Sequence, residues 1–371
     1  MFLLLLFGIF ACSSENGNVA NSSGSAIKPF PEPKIPFSPK QYVCYKTNIP
    51  IDIDGKMKEP VWQKAEWTDD FVDIEGALKP KPRFRTRSKM LWDDRYFYVV
   101  ADITESDVWA TLKKRDSVIY HDNDFEVFID PNGDTHRYYE LEINAFNTEW
   151  DLFLDKPYRD DNRIMFFWDI GGLKSAVHVK GTINTPGDTD KSWTLEIAIP
   201  WDVLKECADK PAPPKSGDQW RINFSRVEWK VSVENGNYMK VKNPKTEKPL
   251  PEDNWVWSPQ GIINMHYPEM WGFVQFSGKT AGTGTDSFIS NPEEAVKWAL
   301  RQVYYREKTY FLEHGKYCEK YSRFGLDDRQ FKNYIWPPEI YITPSLFEVI
   351  AKSKNGGKSW HITQDGRVWQ E

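Results

Sequence analysis

Between residues 41 and 277 apolar and polar positions alternate in short runs: SKMLWDDRYFYVVADI, DFEVFID, YYELEINAF, WTLEIAIP and WRINFSRVEW. Gly, Pro, Asn and Asp separate them. A period of two belongs to strands with one buried face. Many short strands divided by turn residues predict a mainly β fold, an antiparallel β-sandwich over residues 41–278. In WDDRYFYV the Asp93-Asp94 pair predicts a hairpin turn, with Tyr96 and Tyr98 beginning the return strand. After SGKTAGTGTDS the period changes. Residues 291–314 read as one helix, with Asn291 as N-cap, Pro292 at the first helical position, and Glu293 and Glu294 in the first turn. Val296, Ala299, Leu300, Val303 and Tyr304 recur at helical spacing and give it an apolar face. A small hairpin is expected around Asn355-Gly356-Gly357. Helix and hairpin, residues 285–371, form an expected C-terminal subdomain that packs on the sandwich.

The other end of the chain is organised differently. MFLLLLFGIFA precedes Cys12, and SSENGNVANSSGS follows. A short apolar run before a Cys resembles a bacterial lipoprotein signal and is too short to span a bilayer. Residues 1–11 are therefore read as a signal peptide and Cys12 as a lipidation site. An ordinary cleaved signal peptide is the alternative. Either implies export, and the lipid anchor implies an outer-membrane or cell-surface location in a bacterium. Residues 12–40, rich in Ser, Asn and Gly and then in Pro, read as a tether.

Composition narrows the function. The net charge of −6 offers no basic surplus to neutralise phosphates, which argues against a nucleic-acid partner. Cys44, Cys207 and Cys318 are far apart with no CxxC spacing, so neither a zinc site nor a disulfide is expected. No G-x-S-x-G or H-E-x-x-H motif occurs, and the His residues have no ligand spacing. The 17 Trp residues admit two explanations, core packing or stacking on flat ligand faces.

The stretch HDNDFEVFIDPNGDTHRYYELEINAF holds the most unusual chemistry. Phe125, Val127 and Ile129 point one way along the first strand, and Asp124, Glu126, Phe128 and Asp130 the other. On the return strand Tyr138, Glu140, Glu142 and Asn144 share that second face. A five-residue loop sets Glu126 opposite Glu140; a seven-residue loop sets it opposite Glu142. Like charges across strands cost roughly 0.2–1 kcal/mol per exposed pair, so something must compensate. Three readings compete. The first is a solvated face neighbouring Arg137, Arg226 or Lys89. The second is a metal site at DPNGD, where Gly133 is misplaced for an EF-hand loop and a turn explains the residues better. The third is a sugar-binding face, where carboxylates accept hydroxyl hydrogen bonds and rings stack on the pyranose. Tyr120, Trp109, Trp150, Trp255, Trp257 and Trp271 are the candidate rings.

IDIDGKMKEPVW, KMLWDDRYFYVVADI, HDNDFEVFIDPNGD, WTLEIAIPW and NWVWSPQGIINMHYPEMWGFVQFS, in that order, resemble the family 9 carbohydrate-binding modules and their stand-alone bacterial relatives. The likeness runs from about residue 45 to 277. It implies a β-sandwich, non-catalytic binding of glucose- or xylose-type sugars between two aromatic rings, and structural calcium whose ligands cannot be assigned residue by residue. By position the two rings match Tyr120 and Trp257, the strand acid matches Glu126, and Asn144 matches a polar site. Glu142 stands where the xylanase-attached modules carry a basic residue. That removes a donor and shifts the expected ligand away from cellulose or xylan ends. Arg226, in NFSRVEW, is the candidate compensating cation. The resulting expectation is a carbohydrate binder supporting polysaccharide breakdown beside a glycan-degrading enzyme. Two alternatives are a glycoside hydrolase using a pair from Glu126, Glu140, Glu142 and Asp151, and a surface scaffold whose tail docks a partner.

Overall fold

The computed structural model describes residues 28–371. The expected signal peptide, Cys12 and the first part of the expected tether lie outside the described residues. Thirteen strands join in one hydrogen-bonded sheet. Its path begins at Ile164–Met165 and runs through Glu149–Leu154, Tyr138–Asn144 and Asp124–Asp130 to Gln219–Glu228. It continues through Gly272–Thr280, Gln41–Lys46, Thr86–Trp92, Tyr96–Thr104 and Ser192–Pro200 to Lys174–Lys180. Gln41–Lys46 lies parallel to both neighbours, and the other pairings of this sheet are antiparallel. The sheet folds over itself. Phe125, Val127, Ile129 and Phe224 from one half share a buried cluster with Met90, Trp92, Val99 and Ile197 from the other. This is the expected sandwich, held by apolar side chains that each contribute about 1.5–3 kcal/mol when fully buried. Most Trp residues are consumed in it or beside it.

Two turns set the geometry that follows. At Asp93 the carboxylate accepts the amides of Arg95 and Tyr96, both at 2.7 Å, closing the predicted hairpin. At DPNGDT, Asp130 Oδ1 accepts the amide of Gly133 and Oδ2 that of Thr135, each at 2.9 Å. Gly133 takes φ +67°, which suits a residue without Cβ. The seven residues between the strands place Glu126 directly opposite Glu142.

The C-terminal helix spans Glu293–His314, starting two residues later than predicted. Asn291 Oδ1 still accepts the amide of Glu293 at 3.1 Å. The expected hairpin is one part of a four-stranded antiparallel sheet, Glu339–Ile342, Phe347–Ala351, Trp360–Thr363 and Val368–Gln370. Helix and sheet bury Val296, Leu300, Val303, Phe347, Val349 and Ile362 together with Tyr267 and Met270 of the sandwich. The expected tether is corrected from residue 28 onward, because that segment is strapped down. Phe37 stacks on Trp298 with centroids 4.6 Å apart. Lys34 N donates to Gly261 O at 3.0 Å, and Phe30 N to Thr309 Oγ1 at 3.1 Å. Its Pro residues stiffen a strap whose aromatics are anchored in the core.

Candidate functional site

The second face of the acidic hairpin is not solvated. The turn Ile119–His121 and the segment Met265–Trp271 fold over it, leaving a cavity of about 110 Å³. Glu126, Glu140 and Glu142 form its acidic side, Phe128, Trp150 and Leu152 its apolar floor, and Tyr120, Tyr158 and His266 its rim. Phe128 packs on Trp271, 5.4 Å between centroids. Trp150 stacks parallel to Phe166 at 6.3 Å. Tyr120 is 38% exposed and Tyr158 43% exposed, so both rings face solvent at the mouth.

Asp124, Glu126, Glu140 and Glu142 are buried, and no Lys or Arg nitrogen comes within 4 Å of any of them among the described residues. Burial, then mutual repulsion, pushes the carboxyls of Asp124, Glu140 and Glu142 well above the carboxylate range. Glu126 is raised by burial to about 7 while Ser225 beside it pulls the other way. The backbone holds two of them in place. Tyr120 N donates to Glu142 Oε2 at 2.8 Å, and Val227 N to Asp124 Oδ1 at 3.2 Å. Asp124 Oδ2 and Glu140 Oε2 are buried without any hydrogen-bond partner. His266 Nε2 lies 4.0 Å from Glu140, but burial and then the charge of Arg159 lower its pKa to about 3, so it stays neutral.

Three expected ligand residues are elsewhere. Trp257 is 1% exposed and packs against Phe224 and Tyr42 inside the sandwich core, so it is no clamp ring. Arg226 is 0% exposed and faces away from the acids, because it is Ser225 that pairs with Glu126. Its guanidinium instead meets Glu228 at 2.7 Å and Glu105 at 3.3 Å. Asn144 shares the acidic face, yet its amide is spent. Nδ2 donates to Leu112 O and Asp122 Oδ2, and Oδ1 accepts the amides of Phe146 and Thr148. Asp151 leaves the candidate catalytic set too, since it pairs across from Leu141 on the other face. Trp109, Trp255 and Trp271 are buried. Tyr120, Glu126 and Glu142 do come together, with Glu140 and Trp150. Tyr158 and His266 were missed; both sit in loops, where strand periodicity carries no information.

Among the described residues two groups of three acids could approach one cation: Asp116, Asp151 and Asp169, and Asp124, Glu126 and Glu142. The first already has a cation. Arg115 Nη2 lies 2.5 Å from Asp151 and 3.0 Å from Asp169, and its Nε is 3.7 Å from Asp116. The second has no Lys or Arg partner among the described residues, and its all-oxygen donor set fits a calcium ion.

A family model described as carbohydrate family 9 binding domain-like matches residues 53–248. The exoglucanase XynX of Acetivibrio thermocellus is 28% identical over 152 residues, 41% of this chain and 12% of that protein. The endo-1,4-beta-xylanase A of Thermoanaerobacterium saccharolyticum is 29% identical over 152 residues, 41% of this chain and 11% of that protein. The chain thus spans about a ninth to an eighth of these relatives' length. Among solved structures, a family 9 module from Caldicellulosiruptor kristjanssonii in complex with cellotriose superposes with TM-score 0.41 at 16% identity, covering 68% of this chain and all of that one. A Bacteroides uniformis protein gives TM-score 0.48 at 17% identity, covering 65% of this chain and all of that one.

Proposed function

The chain belongs to the carbohydrate family 9 binding domain-like family, and from that premise we propose that its acid-walled cavity binds a carbohydrate without turning it over. The observation that carries this reading is the pairing state of the acids. Buried carboxylates with no cation are costly in an unliganded protein, and a hydroxyl-rich ligand supplies the donors they lack. Tyr120 and Tyr158 are the rings for stacking at the mouth, with Trp150 beneath. Glu126, Glu140 and Glu142 accept sugar hydroxyls. Because acceptors dominate, the ligand is one that presents several adjacent hydroxyl donors.

The test is a glycan array on the full chain, followed by calorimetry with the glycan that binds. Tyr158→Ala should weaken affinity, and Glu126→Gln should weaken it more. Unchanged affinity in both variants rejects this cavity. Hydrolysis of the bound glycan, abolished in Glu126→Gln, would replace the reading by that of a glycoside hydrolase.

The same reading extends to the cell surface. The apolar run ending at Cys12 supports lipid attachment there, and with it a role for the exported protein beside a glycan-degrading enzyme. Incorporation of a tagged fatty acid, lost in Cys12→Ala, is the expected result.

A further inference from the structure

The acid cluster presents more buried carboxyl oxygens than the chain supplies with donors. We propose that Asp124, Glu126 and Glu142 hold a hard divalent cation of the calcium type, and that adjacent hydroxyls of the sugar complete its coordination. This deepens the reading of the cavity as a carbohydrate site and rests on it.

The geometry is that of a cation site. One oxygen from each of the three carboxylates lies within 4.8 Å of the others. Calcium binds oxygen at about 2.3–2.6 Å, so two ligands on opposite sides of one ion stand roughly 4.6–5.2 Å apart. Two of the three carboxylates are held in position from behind. The amides of Tyr120 and Val227 each engage one oxygen of Glu142 and Asp124, and the second oxygen of Asp124 has no hydrogen-bond partner. The donor set is all oxygen, with neither thiolate nor neutral imidazole among the three, which selects calcium or magnesium over zinc or copper.

A second observation stands outside the trio. Glu140 lines the cavity with Glu126 and Glu142, is 4% exposed, and its Oε2 has no hydrogen-bond partner. A fourth buried acceptor aimed at one small space calls for a ligand with strong positive character. A single ammonium would leave two of the three trio carboxylates uncompensated, whereas a divalent ion leaves one. The contrast with Asp116, Asp151 and Asp169 points the same way, because there Arg115 fills the role within the chain. Three protein carboxylates do not saturate a cation that takes six to eight oxygens. The cavity opens between Tyr120 and Tyr158, so the open positions face the incoming sugar.

The experiment uses the full chain, stripped with a chelator. Calorimetric titration with calcium, and separately with magnesium and manganese, should show one equivalent bound, with calcium the tightest. Affinity for the glycan identified on the array should fall at least about tenfold in chelator and return on adding calcium. Glu142→Gln should abolish the cation heat while the metal-free variant melts no lower than the metal-free parent. Glycan affinity unchanged by chelator, yet reduced in Tyr158→Ala, overturns the cation and leaves the sugar site standing. Cation binding that survives Glu142→Gln also overturns it, since the ion then sits elsewhere. Glycan affinity indifferent to chelator, Glu142→Gln and Tyr158→Ala alike removes both the ion and the site.

Discussion

Two buried charged regions flank one loop of this molecule and resolve the same problem in opposite ways. On one side of Met265–Trp271 lies the acid cavity, with His266 facing Glu140. On the other lies the seam between the sandwich and the C-terminal helix. There Glu269 meets Arg159 at 2.8 Å, accepts the hydroxyl of Tyr305, and has Arg301 at 3.8 Å. Asp160 beside it takes Tyr304 at 2.6 Å and Lys308 at 3.1 Å. Each seam carboxylate has a cation or hydroxyl from another element, so the seam joins two units of the fold. Among the described residues the four acids of the hairpin face have no Lys or Arg partner, so burial holds their carboxyls up unless a ligand supplies one. Burial of an acid therefore says little by itself; what its oxygens touch separates a fastener from a binding site.

The comparison can be broken most forcefully at Glu269. Burial raises its carboxyl, but Arg159, Arg301 and the hydroxyl of Tyr305 outweigh that and bring the pKa to about 2. Glu269→Gln leaves a buried guanidinium short of its partner and should cost about 3–5 kcal/mol in denaturant unfolding of the full chain. The pH dependence follows from the lowered pKa. This contribution is full above the unfolded value of 4.5 and is lost as pH falls toward 2. If Glu269→Gln unfolds like the parent at pH 7, the seam is no fastener.

Glu307, on the inner face of the C-terminal helix, is an intermediate case. It is buried, its Oε2 accepts the amide of Cys318 at 2.9 Å, and among the described residues no cation pairs with it. Burial raises its pKa from 4.5 to about 7 although the Cys318 amide opposes the shift. With the folded value raised, the protonated form stabilises the fold below pH 4.5, and that benefit disappears as pH rises through 7. Glu307→Gln should therefore gain on the order of 2 kcal/mol at pH 8 and almost nothing at pH 4, as read from melts at the two pH values.

Smaller effects distinguish the cavity. Where both are ionised Glu142 and Glu126 repel across the strands, so Glu142→Gln should stabilise the metal-free, sugar-free chain by up to about 1 kcal/mol at high pH while glycan affinity falls. Loss of stability there would put the cavity in the same class as the seam. Tyr158→Ala should change unfolding by no more than about 0.5 kcal/mol, because the ring is 43% exposed. It should weaken sugar binding by about 0.5–1.5 kcal/mol, the value of a stacking contact, as calorimetry would show.

Much of the fold was legible because it is local. Alternation in DFEVFID and YYELEIN placed Asp124, Glu126, Glu140 and Glu142 on one face before any coordinates. Asn291 and the apolar stripe from Val296 to Tyr304 located the helix. The site was legible only in part. Glu126, Glu142 and Tyr120 lie close in sequence to the acidic hairpin and were found. Trp257 and Arg226 lie more than 80 residues away, one just past a strand and one within a strand, and nothing in their own segments says which face they turn to the hairpin. Tyr158 and His266 reach the cavity from irregular loops.

What the sequence determined by itself is the set of side chains that share each strand face, because the two-residue period is a short-range property of the backbone; the structure chose the seven-residue turn that sets Glu126 opposite Glu142. What only the tertiary structure decided is that this face is roofed by Ile119–His121 and Met265–Trp271 and that Arg226 turns to Glu105 and Glu228 instead of Glu126. Those outcomes depend on which distant strands pair and which loops cover them, and that choice is made by burial of the whole apolar core rather than by any one segment.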